Sequence, residues 1–197
     1  MDKKINYEYF HWGPFLYKTK LLPEEIKQIK SLCKKDKKKD MRKTLAGVIK
    51  NEYSINEKKL FPIIFPYLDS YCKAAYKHYD ILTVKKQITL KTAWVNFMKK
   101  HEYNPFHEHE GDLSFVLYTQ IPKDLLEEYN STITTSNSNP GTINFVINFG
   151  IKNFIDSHSL FPEIGDFYIF PANLVHLVNQ FNCEGERISV SGNLIYA

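Results

Sequence analysis

The chain has 197 residues, 43% of them hydrophobic and 15% aromatic, with a formal net charge of +4. That length suits one domain burying its own core, and so mild a charge excludes a protein built around a strongly basic or acidic surface. No apolar run reaches membrane-spanning length and Met1-Asp2-Lys3-Lys4 starts no signal pattern, so a cytoplasmic location without membrane contact is expected. Cys33, Cys72 and Cys183 lie far apart without CxxC spacing, which argues against a disulfide framework or a thiolate zinc site. The lysines between Lys34 and Lys43 are broken by Asp36 and Asp40 and carry no interleaved aromatics. They read as a solvated helix end or loop, not as a nucleic-acid surface.

In chain order, residues 7–17 hold Tyr7, Tyr9, Phe10, Trp12, Phe15 and Tyr17 around Gly13-Pro14, an arm or strand packing on the core. Pro23-Glu24-Glu25 suits a first helical turn, where proline is tolerated and acids meet the positive end of the helix. Ile26, Ile29, Leu32 and Cys33 follow at helical spacing. Asp40 to Tyr53 reads as loop or short strand. Ser54-Ile55-Asn56-Glu57 reads as a capping box, opening a helix through Leu60, Ile64, Leu68 and Ala75. Pro62 and Pro66 inside that helix each remove a backbone donor and predict a kink or restart.

After Asp80 the pattern turns to strands, at Ile88 to Met98, Leu113 to Ile121, Thr142 to Phe149 and Asp166 to Pro171. Leu174 to Phe181 and Arg187 to Tyr196 form the expected last hairpin, and polar Lys123 to Gly141 is an exposed loop or a lid. Helices first and many short strands afterwards define an α+β domain with a sandwich or barrel-like core. One domain is expected over 1–197, with 1–80 mainly helical and 81–197 forming the β core.

The densest set of potential metal ligands is Asn104-Pro105-Phe106-His107-Glu108-His109-Glu110-Gly111-Asp112. On an extended chain residues i and i+2 share a face, so His107 and His109 can aim at one point. His176 sits among apolar residues late in the β half, and a lone histidine there is ordinarily a satisfied core residue. If Asn182-Cys183-Glu184-Gly185 is the hairpin turn, Gln180 opposes Arg187, Val178 opposes Ser189 and His176 opposes Ser191. His176, Arg187, Ser189 and Ser191 then share one face, and Ile188 and Val190 the other, apolar one. Arg187 would lie about 13 Å from the level of His176 at ~3.3 Å per residue, a gap that a metal and a short dicarboxylate can span. A guanidinium fork suits a carboxylate, from a bound dicarboxylate or from a neighbouring Asp or Glu.

Taken in order, the HxH, the Gly165-Asp166 turn, Phe170-Pro171, His176, then Glu186-Arg187-Ile188-Ser189 and Asn193 resemble the Fe(II)/2-oxoglutarate-dependent oxygenases. The chain is similar in particular to oxygenases of this type encoded by bacteriophages. The likeness extends to Trp94-Val95-Asn96, to Gly111-Asp112-Leu113-Ser114-Phe115-Val116 and more loosely to Gly13-Pro14-Phe15 and Leu45-Ala46-Gly47, so it covers most of the chain. It implies a double-stranded β-helix (jelly-roll) core with the N-terminal helices packed on it and Fe(II) at its open end. It further implies a dioxygenase, a hydroxylase that couples oxidative decarboxylation of 2-oxoglutarate by O₂ to substrate oxidation. A protein side chain such as proline is one substrate of that kind.

Carried over position by position, the resemblance makes His107 the first metal ligand and His176 the distal one. Arg187 and Ser189 bind the far carboxylate of 2-oxoglutarate, and Tyr118 is a further contact to it. His109 stands where the superfamily usually has a carboxylate. His109 can itself be the third ligand, which its shared face with His107 favours. Glu108, Glu110 or Asp112 can supply an acid from a bent strand, or an exogenous anion can fill the position. Two competing readings are a cupin-like three-His iron dioxygenase that uses no 2-oxoglutarate and a non-catalytic jelly-roll binding module. Arg187 and Ser189 speak against the first, the three histidines against the second.

Overall fold

The computed structural model describes residues 13–79, 87–132, 139–147 and 157–196. The aromatic arm up to Trp12, the tip of the polar loop at 133–138 and the end of the Thr142–Phe149 segment lie outside the described residues.

The N-terminal region runs β1 (Tyr17–Lys20), α1 (Pro23–Leu32), a 3-10 turn (Lys37–Lys39), β2 (Glu52–Ser54) and α2 (Glu57–Tyr79). Pro23 occupies the first turn of α1 as expected, and the Glu25 carboxylate accepts from the Leu22 N–H at 2.9 Å. Two expectations fail here. The cap of α2 is Asn56, whose Oδ1 accepts from Lys59 N at 3.1 Å, because Ser54 is still paired in β2 opposite Trp94. The helix also runs without interruption through Pro62 and Pro66. The two prolines are four residues apart on its exposed face, so the carbonyls that lose a donor stay in water.

The rest comprises β3 (Ile88–Met98), β4 (Asn104–His107), β5 (Leu113–Gln120), α3 (Leu125–Thr132), β6 (Ile143–Val146), β7 (Ser157–Leu160), β8 (Asp166–Pro171), β9 (His176–Val178) and β10 (Arg187–Tyr196). They form a six-stranded sheet ordered β1-β8-β5-β10-β3-β2 and a four-stranded sheet ordered β4-β9-β6-β7. Every pairing is antiparallel. The chain is thus α+β with mostly antiparallel sheets. Among the described residues no helix is long and apolar enough to cross a membrane.

Alternation along the strands of the large sheet sorts its side chains into two cores. Val95, Phe97, Phe115, Leu117, Ile188 and Val190 face outward onto Ile29, Leu60, Ile64 and Leu68 of α1 and α2. Met98, Val116, Tyr118, Tyr168 and Phe170 face inward and meet Ile143, Phe145 and Val178 of the small sheet. Each such Phe, Leu or Ile contributes roughly 1.5–3 kcal/mol by leaving water. Burial on both faces explains why β5 is apolar almost throughout instead of alternating.

The expected last hairpin does not form. β9 pairs with β4 and β6 in the small sheet, while β10 pairs with β3 and β5 in the large one. Residues 179–186 cross between the sheets instead of making a tight turn. Their course is held by Glu128, whose carboxylate accepts from Asn182 N at 2.9 Å and Cys183 N at 2.8 Å. Glu128 belongs to α3, which occupies a portion of the stretch expected to be loop. Leu125, fully buried, anchors that short helix in the inner core.

Candidate active site

The inward faces of the two sheets bring together the residues that the sequence singled out. β4 and β9 pair with His107 opposite His176, and Phe145 of β6 opposes His176 on its other side. His109 lies just past the end of β4, where its N–H donates to Ala172 O at 2.9 Å. Its ring still turns to the same point. Ring centroids are 4.3 Å apart for His107–His176 and 5.0 Å for both His107–His109 and His109–His176. One nitrogen from each lies within 4.8 Å of the others. Phe170 and Trp94 wall the cluster, Trp94 at 5.6 Å from the His109 ring.

Backbone carbonyls fix two of the tautomers. His107 Nδ1 stands 2.7 Å from Pro105 O, and His176 Nδ1 stands 2.9 Å from Leu174 O. A carbonyl only accepts, so both rings carry the proton on Nδ1 and leave Nε2 as a lone-pair donor. His109 Nε2 lies 3.3 Å from His176 Nε2. Burial, then the neighbouring rings, pushes His109 down to about 3, and burial with His107 pushes His176 down to about 4. Burial lowers His107 as well. Neutral imidazoles with converging lone pairs are what a first-row metal ion takes as ligands.

The acids of the same stretch do not join them. Among the described residues the grouped ligands are His107, His109 and His176 alone. Glu110 pairs with Lys91 at 3.0 Å, Asp112 accepts from Tyr196 N at 2.7 Å, and Glu108 points to the surface.

Across from the histidines, β10 presents Arg187, Ser189 and Ser191, while Ile188 and Val190 point into the outer core, the facing predicted from alternation. The partners differ from those expected: Ser189 is flanked by Asn96 of β3 and Tyr118 of β5. Arg187 is 2% exposed. It donates from Nη2 to Tyr118 Oη at 3.0 Å and from Nη1 to Met98 Sδ at 3.1 Å, while Nε has no partner. No ion pair to Arg187 exists among the described residues. Its guanidinium carbon lies 4.9 Å from the Tyr118 ring centre. Asn96 donates to Ser189 Oγ at 3.4 Å, and its own Oδ1 is buried without a partner.

Arg187, Ser189, Ser191 and Asn96 line, together with all three histidines, one narrow inner pocket of about 30 Å³, while Tyr118 and Met98 contact Arg187 from outside that lining. His107, His109, Trp94 and Asn104 also line a wider outer cleft of about 450 Å³. The cleft adds Glu52, which no sequence motif singles out. It is one glutamate in a three-residue strand, among 22 acids in the chain, and nothing in its neighbours flags it.

A buried three-nitrogen cluster and a buried, anion-less arginine on the walls of one pocket can hold a first-row metal ion and a carboxylate anion close together. Residues 92–193, just over half of the chain, match the family described as "Putative 2OG-Fe(II) oxygenase", and the chain belongs to that family. It is an oxidoreductase that works with Fe(II) and 2-oxoglutarate. Its fold is similar to a prolyl-4-hydroxylase from Pseudomonas putida (14% identity, 90% of each chain covered, TM-score 0.52). It is also similar to the viral collagen prolyl hydroxylase vCPH from Paramecium Bursaria Chlorella virus-1, solved with 2-oxoglutarate (12% identity, 92% and 96% covered, TM-score 0.55). HygX from Streptomyces hygroscopicus, solved with nickel and 2-oxoglutarate, is a third (13% identity, 91% and 82% covered, TM-score 0.51). No curated protein is a detectable relative by sequence.

Proposed function

We propose that this enzyme is a 2-oxoglutarate-dependent hydroxylase whose metal ligands are His107, His109 and His176 and whose co-substrate clamp is Arg187 with Tyr118 and Ser189. Arg187 carries the reading. A buried guanidinium without an anion is costly, and its planar fork is shaped for a carboxylate. Tyr118 holds that fork in place from the neighbouring strand, and Ser189 offers a hydroxyl two residues along the same face. The inner pocket must widen to take a five-carbon dicarboxylate, and the short side chains of Ser189 and Ser191 leave it least obstructed along β10.

The three imidazoles fit a divalent first-row ion, because two are held by backbone carbonyls with Nε2 free and burial shifts all three toward the neutral form that ligates. When bound, Fe(II) supplies the O₂-activating redox chemistry that couples decarboxylation of 2-oxoglutarate to substrate oxidation. The chain's own residues orient the co-substrate and keep water out, the latter through Phe170, Val116, Ile143 and Val178 around the inner pocket. An all-histidine ligand set brings no negative charge, and the dianionic co-substrate offsets the positive charge of the metal.

We read the two facing sheets as the double-stranded β-helix of this enzyme class. Residues 1–197 are then one domain, with the helical segment 1–80 packed on the core 81–197. A proline side chain is one candidate substrate. Two of the similar structures are named prolyl hydroxylases, although identities of 12–14% carry the fold and not the substrate.

Anaerobic titration tests the reading. Fe(II) should bind, and 2-oxoglutarate should then raise a visible metal-to-ligand charge-transfer band that Arg187→Ala abolishes. Metal uptake with no response to 2-oxoglutarate would instead favour a three-His dioxygenase without that co-substrate. Failure to bind Fe(II) would sink both.

A further inference from the structure

The outer cleft has a chemical sign of its own. The chain as a whole carries net charge +4, yet among the described residues no lysine or arginine lines the cleft, whereas Glu52, Glu108 and Glu110 do. The rim acids alone would mean little, and Glu110 already has Lys91. Glu52 is different. It is 1% exposed, it lines the cleft, and its Oε2 is buried without a hydrogen-bond partner.

The nearest charged groups are otherwise engaged. Arg42 is held by Asp40, with Nη2 2.5 Å from Oδ2. Glu102, a second buried acid, is itself satisfied by the backbone N–H groups of Lys50 at 3.1 Å and Lys99 at 2.8 Å. Two further orphaned acceptors, Asn104 Oδ1 and Asn193 Oδ1, belong to residues lining the same cleft. A Cβ on Gly47 would collide with both Asn104 Oδ1 and Glu52 Oε1, so the Glu52 carboxylate group and the Asn104 amide stand close enough for one donor group to reach both. Met41, Leu45 and Ala46 add an apolar strip beside them.

A buried acceptor left unpaired costs about 1–3 kcal/mol, and these three line one cleft where an arriving donor group can reach them. We propose that the primary substrate carries a cationic nitrogen on an aliphatic stem, with Glu52 and Asn104 receiving the nitrogen and Met41, Leu45 and Ala46 the stem. This rests on the metal site proposed above, with the outer cleft that His107 and His109 also line serving as its mouth. A prolyl ring within a peptide has no N–H to offer these acceptors, so the cleft selects against it. Burial first, then Glu102 and Asp40, pushes the Glu52 carboxyl up to about 8. An arriving cation reverses that cost by letting the carboxyl ionise beside it.

The test is a calorimetric titration of the full chain, once metal-free and once loaded anaerobically with Fe(II) and 2-oxoglutarate. The probes are N-acetyl-lysine N-methylamide, n-butylammonium, and the N-methylamides of N-acetyl-norleucine and N-acetyl-proline. A cationic probe should bind at least tenfold more tightly than either neutral amide, and Glu52→Gln should erase that preference. Glu52→Asp should retain some of it. Glu108→Lys, a change at an exposed rim position, should weaken the cation a few-fold and keeps the test valid if the Glu52 variants fold poorly. The lysyl probe outperforming butylammonium would indicate a side chain within a peptide, and the reverse a free amine. Equal binding of norleucine and lysine amides, preference for the prolyl probe, or an undiminished preference in Glu52→Gln would overturn the proposal. The charge-transfer band, read before any amine is added, reports separately on the metal and 2-oxoglutarate reading. The metal-free titration reads the cleft even if that band is absent.

Discussion

Arg187 on β10 donates to the phenol of Tyr118 on β5 at 3.0 Å, and both side chains are buried. The pair forms a positively charged wall with no negative partner among the described residues, so its two members should respond to mutation in different ways.

Replacing Arg187 by Met removes a buried, unpaired charge. The variant should keep or gain thermal stability in the absence of 2-oxoglutarate, because an uncompensated buried ion is costly. Its affinity for 2-oxoglutarate should fall at least about a hundredfold, consistent with about 3 kcal/mol for a charge-assisted contact. Thermal melts with and without 2-oxoglutarate check both statements. A variant that melts lower and still binds the co-substrate normally would refute the clamp.

Replacing Tyr118 by Phe leaves the charge and removes one hydrogen bond that aligns it. The KM for 2-oxoglutarate should rise roughly tenfold, or about 1.4 kcal/mol. Fe(II) affinity should not change, since Tyr118 lies apart from the imidazoles. Steady-state succinate formation and anaerobic Fe(II) titration separate the two quantities.

His109 is where this chain departs from the usual ligand pattern. His109→Ala should lose Fe(II) binding together with His176→Ala, whereas His109→Asp should keep it by restoring the two-His-one-carboxylate set. Fe(II) at a hundred times its Kd should stabilise the wild type by about 2.7 kcal/mol, and a chelator should remove that gain. Retention of Fe(II) by His109→Ala would hand the third position to another group.

Gly192 is a packing requirement of the large sheet. A Cβ there would sit 2.6 Å from both Phe115 Cε1 and Thr92 O. Gly192→Ala should cost about 1–3 kcal/mol by overpacking, read as a lower urea midpoint at unchanged slope.

Glu52 predicts a pH dependence of stability. In the folded chain its carboxyl is raised from 4.5 to about 8 by burial and by Glu102 and Asp40. The stability carried by the protonated carboxyl is complete below pH 4.5 and is lost as pH rises toward 8, because the unfolded chain ionises first. Glu52→Gln cannot ionise, so its melting temperature relative to the wild type should climb between pH 5 and 8. One proton contributes at most about 1.4 kcal/mol per pH unit. A constant difference across that window would place the carboxyl in water.

The sequence by itself determined much of this protein, wherever a local rule acts. Ile88–Met98, Asp166–Pro171 and Arg187–Tyr196 were legible as strands because apolar composition, alternation and turn residues bound them. The facing of Arg187, Ser189 and Ser191 against Ile188 and Val190 followed from the two-residue period of a strand. His107 and His109 were readable as a pair from their spacing.

Only the tertiary structure decided which strands become neighbours. The register that placed His176 in a hairpin with β10 had the right facing and the wrong partner, because local alternation is the same whichever strand lies alongside. His176 and Arg187 approach the same pocket from different sheets, with the 179–186 crossing tied down by Glu128 from a helix hidden in a polar stretch. Glu52 gained its place in the same way. It reaches the cleft because β2 joins the far edge of the large sheet opposite Asn96, and burial there, not its immediate sequence, sets its chemistry.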